Sequence, residues 1–110
     1  MMTNIEKLWA FFEAENQRNW ATYQTFLADD IVWTLEGQEK HIFRGKATYL
    51  EKIKAAYKDE DTRFSCIYHQ ASSGQERIVT ILQNDLGQLS CDIFEFKDGL
   101  IVKEWEYLLQ

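Results

Sequence analysis

A tight turn near the C-terminal end constrains the fold of this chain more than any other feature. Residues 90–107 contain two runs of strand-forming residues, and Asp98-Gly99 separates them. That dipeptide is typical of a two-residue β-hairpin loop, because both central positions of a type I′ turn need a positive φ. With a loop of only these two residues, the sequence predicts that Asp92 lies opposite Trp105.

Side chains alternate between two faces of the predicted hairpin, because a strand has a period of two residues. The first face is predicted to be aromatic with a single acid in its middle, and it comprises Asp92, Phe94, Phe96, Ile101, Trp105 and Tyr107. The second face is half charged, and it comprises Cys91, Ile93, Glu95, Val102, Glu104 and Glu106. We predict that the first face lines a pocket and that the second meets solvent or a partner subunit. This pocket hypothesis requires Asp92 and Trp105 to face the interior together.

The second half of the chain is predicted to be an antiparallel meander. Four strand patterns follow residue 61, at Phe64–Ala71, Arg77–Gln83, Leu89–Phe96 and Ile101–Leu108. All three connections between them have the length of hairpin loops. The register around Leu86-Gly87 stays open, because a two-residue loop places Ile81 beside Asp92. A three-residue loop with a left-handed Gly87 places Thr80 there instead.

The first half of the chain is predicted to be mainly helical. Thr3 to Glu6 has the sequence of a capping box, which predicts a helix that begins after Thr3. The later elements are predicted as a helix over residues 20–28 capped by Asn19, a turn at Asp29-Asp30, a strand at Ile31–Glu36, a loop or short edge strand at 38–44, and a helix at about 46–57. Helices on one side of an antiparallel sheet predict an α+β fold.

Composition narrows the class of protein. A length of 110 residues favours a single domain over residues 1–110. The net charge of −6 and the absence of a basic stripe argue against nucleic acid as a partner. No apolar run approaches the roughly 18 residues of a membrane helix, and no leader pattern is visible, so we expect a cytoplasmic protein without membrane contacts. Two histidines without metal-like spacing predict no metal or other cofactor.

Three motifs, in their order and spacing, resemble a known family. They are FLADDIVW at 26–33, FRG at 43–45, and DIFEFKDGLIVKEWEY at 92–107. The chain resembles the nuclear transport factor 2-like superfamily and, within it, the SnoaL-like group. The resemblance implies a cone-shaped α+β barrel, with three N-terminal helices on a strongly curved, mostly antiparallel sheet. It also implies a homodimer that forms through the outer face of the sheet.

The ketosteroid isomerases of this superfamily provide a comparison residue by residue. Their oxyanion-hole aspartate falls on Asp92, which implies a functional role for this acid. Their general base falls near Leu35 and their catalytic tyrosine near Phe11, and neither side chain can transfer a proton. Two of the three roles are therefore vacant, so we do not expect the ketosteroid isomerase reaction. The Asp-Arg-Asp set of limonene epoxide hydrolases has no match in the chain either.

Asp92 is the candidate catalytic residue. A carboxyl group that is buried against aromatic rings loses hydration, so its pKa rises and it can donate a proton near neutral pH. The alternative is a structural acid whose hydrogen bonds are satisfied inside the protein. The predicted ligand-binding residues are Phe11, Trp33, Leu35, Phe94, Trp105 and Tyr107.

Two functions remain open from the sequence. The first is a pocket that binds a small, largely apolar carbonyl or polyketide-like compound, with acid-base catalysis of the isomerase, cyclase or dehydratase type as its enzymatic form. The second is a non-catalytic dimerisation or adapter module whose cavity is filled by Trp9, Phe11, Trp33 and Trp105. An open cavity with Asp92 on its wall would favour the first function.

Overall fold

The structure is a computed structural model, and it describes residues 1–109. This part of the chain forms α1 (Asn4–Asn16), α2 (Trp20–Tyr23) and α3 (Lys46–Ala56), with a 3-10 turn at Gln24–Phe26 after α2. It also forms six strands, β1 (Leu27–Glu36), β2 (Lys40–Arg44), β3 (Phe64–Ala71), β4 (Arg77–Asn84), β5 (Leu89–Lys97) and β6 (Leu100–Leu109). No helix within this range has both the length and the apolar character needed to cross a lipid bilayer.

All six strands belong to one mixed sheet, with the order β2-β1-β6-β5-β4-β3. The strands β3 to β6 form the predicted antiparallel meander, and β1 and β2 form a second antiparallel pair. A single parallel pairing, between β1 and β6, joins these two parts. The sheet is open, because β2 and β3 are its edges. This arrangement confirms the predicted α+β fold with helices on a mostly antiparallel sheet.

The helices cover the inner face of the sheet and bury the core there. Helix α1 begins with the predicted capping box, in which Thr3 and Glu6 exchange hydrogen bonds between side chain and backbone. Its Leu8 and Phe11 are buried against sheet residues such as Phe94, and α3 adds Tyr49 to the same cluster. Burial of side chains of this size contributes about 1.5–3 kcal/mol each, so the aromatic helix face determines where α1 lies.

The second helix and the first strand differ from the prediction. Helix α2 ends at Tyr23 rather than at residue 28, and β1 already begins at Leu27. The predicted turn at Asp29-Asp30 is therefore wrong, because both aspartates lie inside β1. Their side chains are exposed at a point where the pairing of β1 with β6 is irregular. The irregular pairing allows both aspartates to remain in the strand with their side chains exposed.

The loop before β5 follows one of the two predicted registers. Thr80 pairs with Asp92, and the connection is the three-residue loop 85–87. Gly87 has a φ of 80°, which is the left-handed conformation that this loop needs. The side chain of Thr80 is fully buried and donates a hydrogen bond of 2.8 Å to the backbone oxygen of Asp92.

The hairpin between β5 and β6 begins as predicted and then departs from the prediction. Asp98 and Gly99 both have positive φ, and Phe96 lies opposite Ile101. One residue later the register shifts, because Val102 is an extra residue in β6 and forms a β-bulge. Every residue of β6 after the bulge therefore takes the face opposite to the predicted one.

The bulge reverses the predicted faces of β6. Glu106, rather than Trp105, lies opposite Asp92, and Trp105 lies opposite Ile93 on the outer face. Without the bulge, strict alternation would place Lys103 on the inner face between Ile101 and Trp105. An unpaired ammonium group is costly to bury. The bulge keeps Lys103 exposed and opposite Glu95, which gives a physical reason for the shift.

Candidate functional site

An open cavity of about 680 Å³ lies on the inner face of the sheet. Its aromatic wall residues come from helices and strands alike, and they are Phe12, Tyr23, Trp33, Tyr57, Phe64 and Phe94. Four acidic residues also line the cavity, and they are Glu15, Asp92, Glu104 and Glu106. A cavity of this volume is within the range of small-molecule sites, which are mostly apolar and carry a few polar groups.

Three of the acids meet at one place on the cavity wall. Carboxyl oxygens of Asp92, Glu104 and Glu106 all lie within 4.8 Å of one another. The strand pairing brings them together, because Asp92 of β5 is directly opposite Glu106 of β6 and Glu104 is two residues earlier on the same face. Asp92 and Glu104 are only 4% and 5% exposed. We call these three residues the acid cluster.

Hydroxyl groups support two members of the acid cluster. Ser90 donates a hydrogen bond of 2.6 Å to Oδ1 of Asp92. The hydroxyl of Tyr49 donates to Glu104, and a hydrogen bond of 3.0 Å connects it with the hydroxyl of Tyr23. Both tyrosines are fully buried, so this chain of hydroxyl groups fixes the position of the Glu104 carboxyl.

Burial and mutual repulsion keep protons on the acid cluster. Burial is the main cause that raises the pKa of Asp92 well above its usual range, and the charge of Glu106 adds to it. Burial also raises the pKa of Glu104 strongly, with Asp92 and Glu106 as the next causes. The pKa of Glu106 rises through burial as well. Three carboxylates at this distance cannot all ionise near neutral pH, so the cluster can donate protons as well as accept them.

Glu15 of α1 is the fourth acid of the cavity, and opposing effects determine its pKa. Burial raises the pKa of Glu15 from 4.5 to about 7, and the charge of Glu106 contributes. The hydroxyl of Tyr57, which donates a hydrogen bond of 2.6 Å to the Glu15 carboxylate, opposes this rise. A group with a pKa near 7 can take up and release protons under physiological conditions.

The indole N–H of Trp33 is a buried donor on the cavity wall. Trp33 lies on β1 opposite Glu104, lines the cavity, and is only 5% exposed. The N–H is close enough to Glu106 to lower the pKa of that carboxyl group, but no acceptor atom within residues 1–109 meets hydrogen-bonding geometry. An unsatisfied buried donor costs about 1–3 kcal/mol, so a ligand with an oxygen acceptor would gain by pairing with it.

The structure brings together only some of the predicted site residues. Asp92, Trp33, Leu35 and Phe94 line the cavity. Phe11 lies beneath the cavity wall, where its ring stacks on Tyr23 at a centroid distance of 4.1 Å.

Trp105 and Tyr107 do not reach the cavity, so the prediction that they face it is wrong. Trp105 lies on the outer face, where the guanidinium of Arg77 sits 5.5 Å from its ring centroid. Tyr107 is 39% exposed. Both errors have the same cause, which is the bulge at Val102. The argument for a lone acid enclosed by aromatic rings therefore fails, and a pocket hypothesis has to rest on the observed cavity.

The sequence prediction missed three functional candidates, Glu15, Glu104 and Glu106. The two residues of β6 are predicted on the outer face, and Glu15 of α1 is not among the predicted site residues. One signal for the bulge was present, since strict alternation also placed Lys103 among the inward-facing residues. A buried lysine without a partner indicates that a register is wrong.

The spacing of the acid cluster would also let its oxygens approach a small hard cation, and these are the residues that could hold one. The raised pKa values and the hydroxyl donors favour protonated or hydrogen-bonded carboxyl groups instead. Within residues 1–109, no histidine or cysteine completes the cluster.

A family model for the SnoaL-like domain matches residues 9–104, which is most of the chain. The chain belongs to the SnoaL-like family. The predicted resemblance is thereby confirmed at the level of the family. Comparison of this SnoaL-like chain with curated protein sequences gives no match.

Solved structures share the fold of this SnoaL-like domain. Bal32a, from a soil-derived mobile gene cassette, has a TM-score of 0.84 at 18% identity, covering 94% of this chain and 86% of its own. A protein named as a candidate ketosteroid isomerase from Kribbella flavida has a TM-score of 0.77 at 20% identity, covering 91% and 73%. A protein named as a candidate polyketide cyclase from Pseudomonas putida has a TM-score of 0.74 at 17% identity, covering 99% and 93%. Identities this low establish a common fold and not a common activity.

Proposed function

We propose that this SnoaL-like protein binds a small molecule in its cavity and catalyses proton transfer on it. The observation that carries the proposal is the acid cluster, in which three carboxyl groups meet on the wall of an open cavity of about 680 Å³. Buried titratable groups with strongly shifted pKa values are typical of catalytic sites. The reaction would be of the isomerase, cyclase or dehydratase type.

Asp92 is the proposed proton donor. Ser90 occupies its Oδ1 with a hydrogen bond, so a proton on Oδ2 is available to an oxygen atom of the substrate. Glu106 lies directly opposite and, in its ionised form, can accept the proton that leaves the carbon next to the carbonyl while Asp92 gives its proton to the carbonyl oxygen. Glu106 would thereby supply the base that the ketosteroid isomerase comparison left vacant at Leu35, while Asp92 keeps the acid role that the comparison assigns to it.

The proposed substrate is small and largely apolar, and it carries a carbonyl oxygen. Aromatic walls favour an apolar body, and the Trp33 N–H together with protonated carboxyl groups favours an oxygen acceptor. Two structural neighbours named as a candidate ketosteroid isomerase and a candidate polyketide cyclase agree with this chemistry.

An exchange experiment tests the proposal without knowledge of the natural substrate. The probe is 2-tetralone, an apolar ketone whose acidic hydrogens exchange with deuterium in D₂O, and NMR follows the exchange. We expect the protein to accelerate exchange, and both Asp92→Asn and Glu106→Gln to reduce the acceleration at least tenfold. The control is Glu95→Gln, which changes an acid on the outer face that pairs with Arg77.

Two results would contradict the catalytic proposal. Equal exchange rates for the wild type and for Asp92→Asn would remove Asp92 from the chemistry. A loss of denaturant stability of about 1–3 kcal/mol in Asp92→Asn, without any effect on exchange or binding, would show that the acid is structural. Asparagine still accepts the Ser90 hydrogen bond, so this variant is expected to fold.

A homodimer through the outer face of the sheet is the second proposal. The bulge places Trp105 and Tyr107 on this face, which makes it more aromatic than the sequence predicted. Tyr68, which is 54% exposed, lies on the same face of β3. Aromatic residues are enriched at subunit interfaces. The filled-cavity form of the adapter hypothesis loses three of its four residues, because only Trp33 among them lines the cavity. Sedimentation of the intact chain tests the dimer.

A further inference from the structure

The cavity combines four acidic side chains with aromatic walls and has no positively charged group of its own. Within residues 1–109, the residues that line it include Glu15, Asp92, Glu104 and Glu106 but no lysine, arginine or histidine. The proposed carbonyl chemistry does not specify the charge of the bound molecule. The charges of the residues that line the cavity bear on it directly.

Arg18, a cation that contacts Tyr57 of the cavity wall, is already engaged outside the cavity. The guanidinium of Arg18 stacks over the ring of Tyr57 at 4.0 Å from its centroid. It donates hydrogen bonds of 2.9 Å and 2.7 Å to the backbone oxygens of Glu60 and Thr62. Arg18 thus fixes the rim of the site. Its charge lowers the pKa of Glu15, but none of its hydrogen bonds within residues 1–109 reaches the acid cluster.

This arrangement sorts ligands by their charge. An anionic ligand would meet four acids and no cation, so it is repelled. A neutral ligand is tolerated, because the acid cluster can retain its protons. Two effects favour the binding of an ammonium group. A carboxyl group that releases its proton becomes the counterion of the ammonium, and aromatic faces attract cations.

The geometry of the acid cluster suits an ammonium group. Its carboxyl oxygens lie within 4.8 Å of one another, so one nitrogen placed between them can reach two or three of them with separate N–H groups. The Trp33 indole adds an independent requirement. This side chain is 5% exposed, lines the same cavity, and has a buried N–H that no acceptor in residues 1–109 meets at hydrogen-bonding geometry. An oxygen of the ligand close to its amine would supply that acceptor.

We propose that the substrates of this site are small aromatic or aliphatic amines that carry a hydroxyl or carbonyl oxygen near the nitrogen. The ammonium group binds the acid cluster, the oxygen accepts from Trp33, and the apolar body lies against the aromatic walls. This inference rests on the proposed small-molecule function and adds the charge of the substrate to it.

Isothermal titration calorimetry with four related compounds tests the inference. The first is 2-amino-1-phenylethanol. In 1-phenylpropan-1-ol a methyl group replaces the ammonium, in mandelate a carboxylate replaces the aminomethyl group, and in 2-phenylethylamine the hydroxyl is absent. We expect the amino alcohol to bind at least tenfold more tightly than the neutral alcohol and several-fold more tightly than 2-phenylethylamine. Mandelate is expected to bind most weakly.

Two further readouts distinguish a charge effect from simple apolar binding. Titrations in buffers of different ionisation enthalpy are expected to show proton release when the amino alcohol binds at neutral pH. In Glu106→Gln the preference for the amine over the neutral alcohol is expected to fall at least fivefold, whereas Glu95→Gln retains it. Should Glu106→Gln fail to fold, Asp92→Asn serves the same purpose, because it changes another member of the acid cluster and keeps the hydrogen bond from Ser90.

Other outcomes overturn the inference. Equal or tighter binding of 1-phenylpropan-1-ol shows that the site prefers neutral molecules, and the proton-transfer proposal then stands without the amine. Binding of none of the four compounds also overturns it, and the exchange of 2-tetralone decides separately whether the site is catalytic. Binding of Mg²⁺ alone, lost in Glu106→Gln, would identify the acid cluster as a metal site instead.

Discussion

Glu104 and Glu106 lie in the same strand as Trp105 and Tyr107, and a single inserted residue decides which pair faces the cavity. Asp92 could be predicted as a buried acid, because β5 keeps strict alternation from Leu89 to Lys97. The two glutamates could not, because a β-bulge is a tertiary feature that simple periodicity does not contain. The only sequence signal for the bulge is Lys103, because strict alternation would bury its ammonium group without a partner.

The stability of the Glu15→Gln variant relative to the wild type is predicted to depend on pH. The pKa of Glu15 is raised from 4.5 to about 7 in the folded protein, so the folded state binds this proton more tightly than the unfolded state does. The corresponding stability is present below pH 4.5 and is lost as the pH rises through 7. Relative to the wild type, we expect Glu15→Gln to be nearly neutral at pH 4 and more stable by about 3 kcal/mol at pH 8.

Urea unfolding at both pH values measures this difference. Glutamine still accepts the hydrogen bond from Tyr57, so the local structure is retained. Glu13→Gln is the matched control on the same helix, because Glu13 is exposed and pairs only with Gln17. A stability difference for Glu15→Gln that does not change with pH would show that Glu15 is ionised normally.

Secondary structure elements were predicted well wherever local turn chemistry determines them. The capping box at Thr3 and the loops at Gly87 and Asp98-Gly99 all appear in the structure. The prediction failed at the boundary between α2 and β1, since two adjacent aspartates usually indicate a turn. Here Leu27 is buried, and its burial favours a strand that begins before the two aspartates.

Gly99→Ala tests how much the hairpin turn contributes. Gly99 has a φ of 77°, a conformation that costs an L-residue about 1–2 kcal/mol. A Cβ atom would also lie 2.5 Å from Nζ of Lys7, which donates a hydrogen bond to the Gly99 oxygen. We expect a loss of about 1–2 kcal/mol in denaturant unfolding.

Gly99→Asn is the companion variant, because asparagine tolerates the left-handed region better than alanine does. It should lose clearly less stability than Gly99→Ala. Equal losses would assign the effect to the contact with Lys7 rather than to backbone strain.

At the scale of the whole molecule, the order of helices and strands was sufficient to predict the fold. The cavity was predicted as well, although for a reason that the structure does not support. Ring residues on β6 were expected to line it, whereas the helices and the other strands supply its aromatic wall. Sequence periodicity describes one element at a time, while a cavity depends on how all of them meet.

The proposed homodimer makes a prediction about the intact protein. Tyr107→Glu places a charge in the middle of the outer face, so we expect it to convert a dimer into a monomer in analytical ultracentrifugation. Leu86→Glu is the control, because Leu86 is exposed at a hairpin tip away from that face. A wild-type protein that is monomeric at its highest soluble concentration would refute the dimer.

The single parallel pairing of β1 with β6 has a consequence for the order in which the protein assembles. Each of the two antiparallel parts can form from contacts between neighbouring segments, which are rapid to find. Their union closes a loop that spans most of the chain, between Val32 and Lys103 in the register that continues to Glu36 and Tyr107. Trp33 and Leu35 lie on the β1 side of this parallel pairing, and Asp92 and Glu104 lie on the β6 side. The acid cluster can form with the β5–β6 hairpin, but Trp33 reaches it only when β1 pairs with β6. We expect this closure of the cavity to be the slow, final step of folding, which refolding kinetics followed by tryptophan fluorescence would report.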